Sequence, residues 1–96
     1  LAGGGLDRKN FMAALASAKQ HLQASRPTAV NLRWGTDFVF EIAEKTTELS
    51  LESLAELMVE SAQALIEKDI LINKAIGQHG ARLLKDECSV LTHCNA

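Results

Sequence analysis

Two neighbourhoods in this sequence hold side chains suited to chemistry: Arg26, directly before Pro27 and Thr28, and Cys94, within Thr92-His93-Cys94-Asn95. An arginine held by a following proline can present its planar fork of donors to an anion. If a helix starts just beyond it, the unpaired N–H groups and dipole at that helix's N-terminus favour negative charge as well, which makes Arg26 a candidate phosphate ligand. A loop arginine paired with Asp or Glu is the plainer alternative and, on spacing alone, the commoner one. Cys94 closes a β-branched, apolar run, Ser89-Val90-Leu91-Thr92-His93-Cys94. In open α/β sheets the residues just past the strand ends line the ligand crevice, so a thiol there is placed for catalysis, whereas Cys88, before the run, is not. The alternative for Cys94 is a small buried hydrophobe, the more frequent fate of a cysteine.

Other groupings carry less. Gly3-Gly4-Gly5 lacks the preceding strand and the following Lys-Ser/Thr of a phosphate loop, and residues 1–6 read as a flexible connection. No pair among His21, His79 and His93 has the i, i+4 spacing of a helical metal site, so no metal is expected. Glu56 with Glu60, and Glu67 with Asp69, could be drawn as acid/base pairs, but like charges on a solvated helix face explain them better. Cys88 and Cys94 match neither a paired-cysteine zinc site nor a disulfide framework, and reduced thiols in a cytoplasmic protein are the expectation.

The elements that must position Arg26 and Cys94 follow from composition and periodicity. Of 96 residues, 47% are hydrophobic but 4% aromatic, with one Trp, three Phe and no Tyr, so the core must be built from Leu, Ile, Val and Ala. That composition favours helices. Asp7 is a plausible N-cap, and Phe11, Leu15, Ala18 and Leu22 share one face of a helix over 7–25. Pro27 restricts Arg26 to extended backbone and suits the first turn of a second helix, over 28–46. In that helix Val30, Trp34, Phe38 and Ile42 recur every four residues. Ser50 caps a third helix over 51–79, in which Leu51, Leu54, Met58, Ser61, Leu65, Ile72 and Ile76 trace one long stripe. At 1.5 Å per residue that stripe spans roughly 40 Å, more than a self-contained domain of this size needs. Residues 87–96 read as a polar connection and a strand.

Charge and hydropathy exclude several partners. Ten Lys+Arg against 12 Asp+Glu give a net charge of -2, with the positive charges scattered singly among acidic ones, so no nucleic-acid surface is announced. No apolar run approaches the roughly 20 residues of a bilayer span, so no membrane is expected. The opening at Leu1, without an initiator Met, and a closing strand with no neighbour to pair with make an internal segment of a longer protein the expectation.

Two blocks, Ser25-Arg26-Pro27-Thr28-Ala29-Val30-Asn31-Leu32-Arg33-Trp34 and Val90-Leu91-Thr92-His93-Cys94-Asn95-Ala96, resemble signature segments of the methylthioribose-1-phosphate isomerases. Between them, the segment from Glu67 to Ala81 resembles the family's long helix, in the right order and at about the right distance. The likeness extends over nearly the whole chain from Leu6. Close cousins are the ribose-1,5-bisphosphate isomerases and the non-catalytic regulatory subunits of translation initiation factor 2B. The Pro-Thr-Ala-Val-Asn-Leu block favours the first group. A free-standing helical interaction module, the third reading, would need the Leu51–Ile76 stripe to be covered within the chain.

The resemblance implies a helical domain followed by the first strand of a Rossmann-like domain, most of which would lie beyond Ala96. It implies an aldose–ketose isomerase of methionine salvage, turning 5-methylthioribose 1-phosphate into 5-methylthioribulose 1-phosphate without metal, nucleotide or other cofactor. The full-length protein would be a homodimer. By the same resemblance Cys94 is catalytic, working with an Asp further along the chain, and Arg26 contacts the sugar phosphate. A Gly-Ala-Pro loop bearing a further arginine is expected upstream of Leu1, so these 96 residues carry part of a site and alone should be inactive. Gly35 stands where the family pattern has Ala, a weakening of the second helix by about 1 kcal/mol.

Overall fold

A computed structural model of the chain describes residues 7–93. Three helices follow one another: α1 (Arg8–Ser25), α2 (Val30–Lys45) and α3 (Leu51–Ala81). Asp7 caps α1, its side chain accepting from the Asn10 N–H at 2.8 Å. Ser50 does the same for α3, accepting from the Ser53 N–H at 3.2 Å. Each cap satisfies one of the backbone donors a helix start leaves unpaired.

The chain divides into two compact units, residues 1–66 and 67–96. In the first, each helix contributes one residue to a small core: Phe11 from α1, Ala43 from α2 and Leu54 from α3, with Met12, Leu15, Leu51 and Met58 packed around them. Ala43 lets α2 approach closely where a larger side chain would hold it off. The start of α1 is tied to the loop between α2 and α3 by Arg8, whose guanidinium donates to the carbonyls of Thr46 (3.1 Å) and Leu49. The Thr46 carbonyl lies at the C-terminal end of α2, where a cation is favoured.

The apolar stripe of α2 is not its inward face. Val30 is 78% exposed, Trp34 57% and Phe38 39%, while Ile42 is half-buried. Residues four apart advance by about 40° around an α-helix, so a strict four-residue repeat spirals from one side to the other. Val30 therefore begins outside and Ile42 ends near the core. Trp34 and Phe38 stack on each other, ring centroids 5.5 Å apart. The α3 stripe behaves as read through its first turns, where Leu54 is buried and Leu51, Met58, Ser61 and Leu65 are half-buried.

In the second unit α3 ends at Ala81, where the Leu83 and Leu84 N–H groups donate to Gly80 and Ala81. Its stripe residues Ile72 and Ile76 are exposed. Glu87 then turns the chain with φ 59°, a left-handed conformation that costs a side-chain-bearing residue about 1 kcal/mol. The segment read as the opening of a strand does not form one. Residues 88–93 have no regular structure, and no strand forms among the described residues, because an extended segment gains its ladder bonds from a neighbour. Cys94 to Ala96, the end of that reading, and the loop 1–6 lie outside the described residues.

Candidate functional site

The Arg26 corner is built by the two helices that meet there. Arg26 closes α1 as its C-cap, with φ −144° and ψ 78°, outside the helical region that a following proline disfavours though short of a fully extended backbone. Its N–H donates to the Gln23 carbonyl at 3.3 Å, and its own carbonyl accepts from the Ala29 N–H at 3.0 Å. Residues 26–29 thus form a tight turn with Pro27 at the second position, where a fixed φ is favourable. The sequence places Pro27 inside the first turn of the second helix. The structure starts that helix at Val30, since the bond that Pro27 serves closes the preceding turn.

What surrounds Arg26 is open. α2 begins after Ala29, which has no side-chain group to cap with, and no side-chain cap is made. The Arg33 N–H returns to the Ala29 carbonyl at 3.2 Å, leaving the N–H groups of the turn before it for solvent or a ligand. Arg26 is exposed, and the ion pairs among the described residues are Lys19–Asp37 and Lys45–Glu41, neither of which involves it. Among the described residues no carboxylate pairs with Arg26. The arrangement offers a guanidinium, a rigid turn and an uncapped helix start on one short segment, a set of donors with the chemistry of a phosphate ligand.

Behind the corner a polar cluster locks α1 to α2. Gln23, the buried polar residue of the described chain, donates through Nε2 to Thr36 Oγ1 and Asp37 Oδ1, both at 2.8 Å. Its Oε1 accepts from Arg33 Nη1 at 3.1 Å. Both amide hydrogens and the carbonyl are thereby used, which offsets the cost of burying the group. Lys19 sits 3.4 Å from Asp37 and 4.2 Å from the centre of the Phe40 ring. The Asp37 carboxyl is held below its ordinary value chiefly by the hydrogen bond from Gln23, against the smaller opposing effect of partial burial and with help from the Lys19 and Arg33 charges.

This cluster is what an apolar pattern misses. Phe11, Leu15, Lys19 and Gln23 stand four apart, so the inward line of α1 starts apolar and finishes polar. Leu22, read as part of the apolar face, is half exposed. The signal available in the sequence was the register of Lys19 and Gln23, not their type.

The remaining candidates are scattered. Cys94 lies outside the described residues. Cys88 is a free, exposed thiol, and His21, His79 and His93 are exposed. Among the described residues no three His, Cys, Asp or Glu side chains converge as a metal site requires, and no helix is long and apolar enough to cross a membrane.

Residues 5–96 match the initiation factor 2 subunit family. The chain belongs to that family. Within it, the chain is 42% identical over 90 residues to a methylthioribose-1-phosphate isomerase of Desulforamulus reducens, covering 94% of this chain and 26% of that protein. A Roseiflexus methylthioribose-1-phosphate isomerase is 43% identical over 90 residues, with the same two coverages. A 5-deoxyribose 1-phosphate isomerase of Moorella thermoacetica is 42% identical over 93 residues, 97% of this chain and 26% of that protein. This member of the initiation factor 2 subunit family thus spans about a quarter of the length of the curated relatives it matches. No solved structure matches it.

Proposed function

We propose that this segment belongs to an aldose–ketose isomerase acting on 5-methylthioribose 1-phosphate, in which Arg26 binds the substrate phosphate. The observation that carries the reading is the Arg26 corner, a guanidinium with no protein partner among the described residues beside the uncapped start of α2. The names of the relatives supply the substrate class, an aldose 1-phosphate.

The chemistry asks for such a ligand. Phosphorylation at C1 locks the sugar as a cyclic acetal, so the ring oxygen must receive a proton before hydrogen can move between C2 and C1. Arg26 holds the phosphate dianion equally through ground and transition states, supplying orientation more than selective transition-state stabilisation. Cys94 is the proposed proton-transfer residue, working beside groups from the rest of a full-length homodimeric enzyme. A free thiol titrates near 8.5, an apolar wall keeps it protonated, and nearby cations make it thiolate. Cytoplasmic location and a Rossmann-like domain continuing from residues 87–96 belong to the same proposal.

A second reading has its own support. The Moorella relative is named a 5-deoxyribose 1-phosphate isomerase, a substrate that differs at C5 and keeps the phosphate that Arg26 would hold. The test is turnover of both aldose 1-phosphates by a full-length protein carrying this segment, followed as ketose formation. Preference for the methylthio sugar supports the first reading and preference for the deoxy sugar the second. Turnover of neither refutes both.

A further inference from the structure

We propose that Gln23 is a positioning residue for Arg26: it fixes the 26–29 corner so that the guanidinium and the uncapped start of α2 address one phosphate. The proposal rests on the reading of Arg26 as the phosphate ligand. Gln23 holds both sides of the corner. Its main-chain carbonyl takes the Arg26 N–H at 3.3 Å. Its side-chain amide, two residues inside the end of α1, bonds three residues of α2 at 2.8, 2.8 and 3.1 Å.

These bonds are directional where apolar packing is not. A leucine at this buried position could pack α1 against α2, but it would allow the helices to slide and rotate by small amounts. Three hydrogen bonds to Arg33, Thr36 and Asp37 fix both the axial position and the rotation of α2 relative to the end of α1. Arg26 has no side-chain partner of its own among the described residues, so the corner backbone is what aims it. A misplacement of a fraction of an ångström there weakens a bidentate contact while leaving the fold in place. Arg33 is bonded to Gln23 and Lys19 is paired with Asp37, so among the described residues the corner cation without a side-chain partner is Arg26.

The test is a double-mutant cycle in a full-length protein, with 5-methylthioribose 1-phosphate as substrate. Gln23→Leu deletes the side-chain bonds at nearly constant volume, and Thr36→Val deletes one acceptor. Each is made alone and in an Arg26→Ala background. Alone, Gln23→Leu is expected to raise KM about three- to tenfold, the value of one or two lost hydrogen bonds, and to leave kcat within about twofold. Thr36→Val should raise KM about twofold, and Thr36→Ser should restore it. In the Arg26→Ala background neither should change KM further, because the residue they act through is gone. A KM effect that persists unchanged in that background refutes the positioning role while leaving Arg26 as the ligand. An Arg26→Ala variant with normal KM removes the ligand reading itself, and the positioning role with it. If Gln23→Leu does not fold, the Thr36 arm decides the question by the same criteria.

Discussion

Replacing Arg26 should separate binding from stability more cleanly than any other change in this segment. Its guanidinium is exposed and makes no ion pair or hydrogen bond with the described residues, so truncating it removes nothing that holds α1 to α2. Arg26→Ala is therefore expected to leave the unfolding free energy within about 0.5 kcal/mol. Binding is another matter. A hydrogen bond to a charged partner contributes about 1.5–3 kcal/mol, and a fork on phosphate makes two. Arg26→Lys keeps the charge and loses the second bond, so KM should rise roughly tenfold. Arg26→Ala loses both, and KM should rise by on the order of 10²-fold or more. Because the phosphate is held alike in ground and transition states, kcat should change only a few-fold.

KM equals a dissociation constant only when substrate leaves faster than it reacts, so inhibition by inorganic phosphate should be measured beside the initial rates. Its inhibition constant should rise in the same order, wild type, Lys, Ala. Normal KM and normal phosphate inhibition in Arg26→Ala, with an unchanged melting temperature, would falsify the phosphate reading. A lowered melting temperature with normal KM would instead make Arg26 a structural residue.

Gly35 lies inside α2, and a Cβ built on it meets nothing within 4 Å, so Gly35→Ala should stabilise the helix by about 1 kcal/mol. A urea midpoint that fails to rise would mean that something packs against this turn. Asp37 has a folded pKa below its unfolded value of about 3.9, so its contribution to stability is present above that value and is lost as pH falls through the depressed one. Asp37→Asn should flatten the pH dependence of the urea midpoint below pH ~4, and equal slopes for variant and wild type would count against the Gln23–Asp37 bond. Cys94→Ser should lower kcat of the full-length enzyme by at least about 10²-fold while Cys88→Ser leaves it within a few-fold. Equal effects at both cysteines would make them structural.

The helices were legible because their signals are local. Asp7 and Ser50 are short oxygen-bearing residues placed where a helix begins, and their caps depend on atoms within three residues. Pro27 announced the break between α1 and α2 for the same kind of reason, although the sequence could not say which side of the turn it would occupy. That choice is made by the Arg26–Ala29 bond, which closes a turn before the helix begins. The strand read within 87–96 was not decidable locally: a strand needs a neighbour to pair with, and residues 88–93 form none. Arg26 was singled out by the residue that follows it, and its lack of an internal partner emerged only when every carboxylate on the neighbouring helices had a position.

The Gln23 cluster shows where a hydrophobic pattern stops being informative. Counting apolar residues assigns Val30, Trp34 and Phe38 to the inside of α2 because they are large and regularly spaced. The side of α2 that meets α1 instead carries Thr36, Asp37, Phe40 and Ala43, with Arg33 reaching in from its exposed edge, opposite a buried amide with three bonding positions, a lysine and a small core. A polar residue at an inward register is costly alone and favourable with partners, and the partners here are ten to fourteen residues away on another helix. Hydropathy is a property of one residue, whereas satisfaction is a property of a pair. It follows that the order of the Arg26 corner comes from directional bonds more than from buried area. Substitutions in the cluster should therefore affect the aim of Arg26 before they affect the presence of the fold.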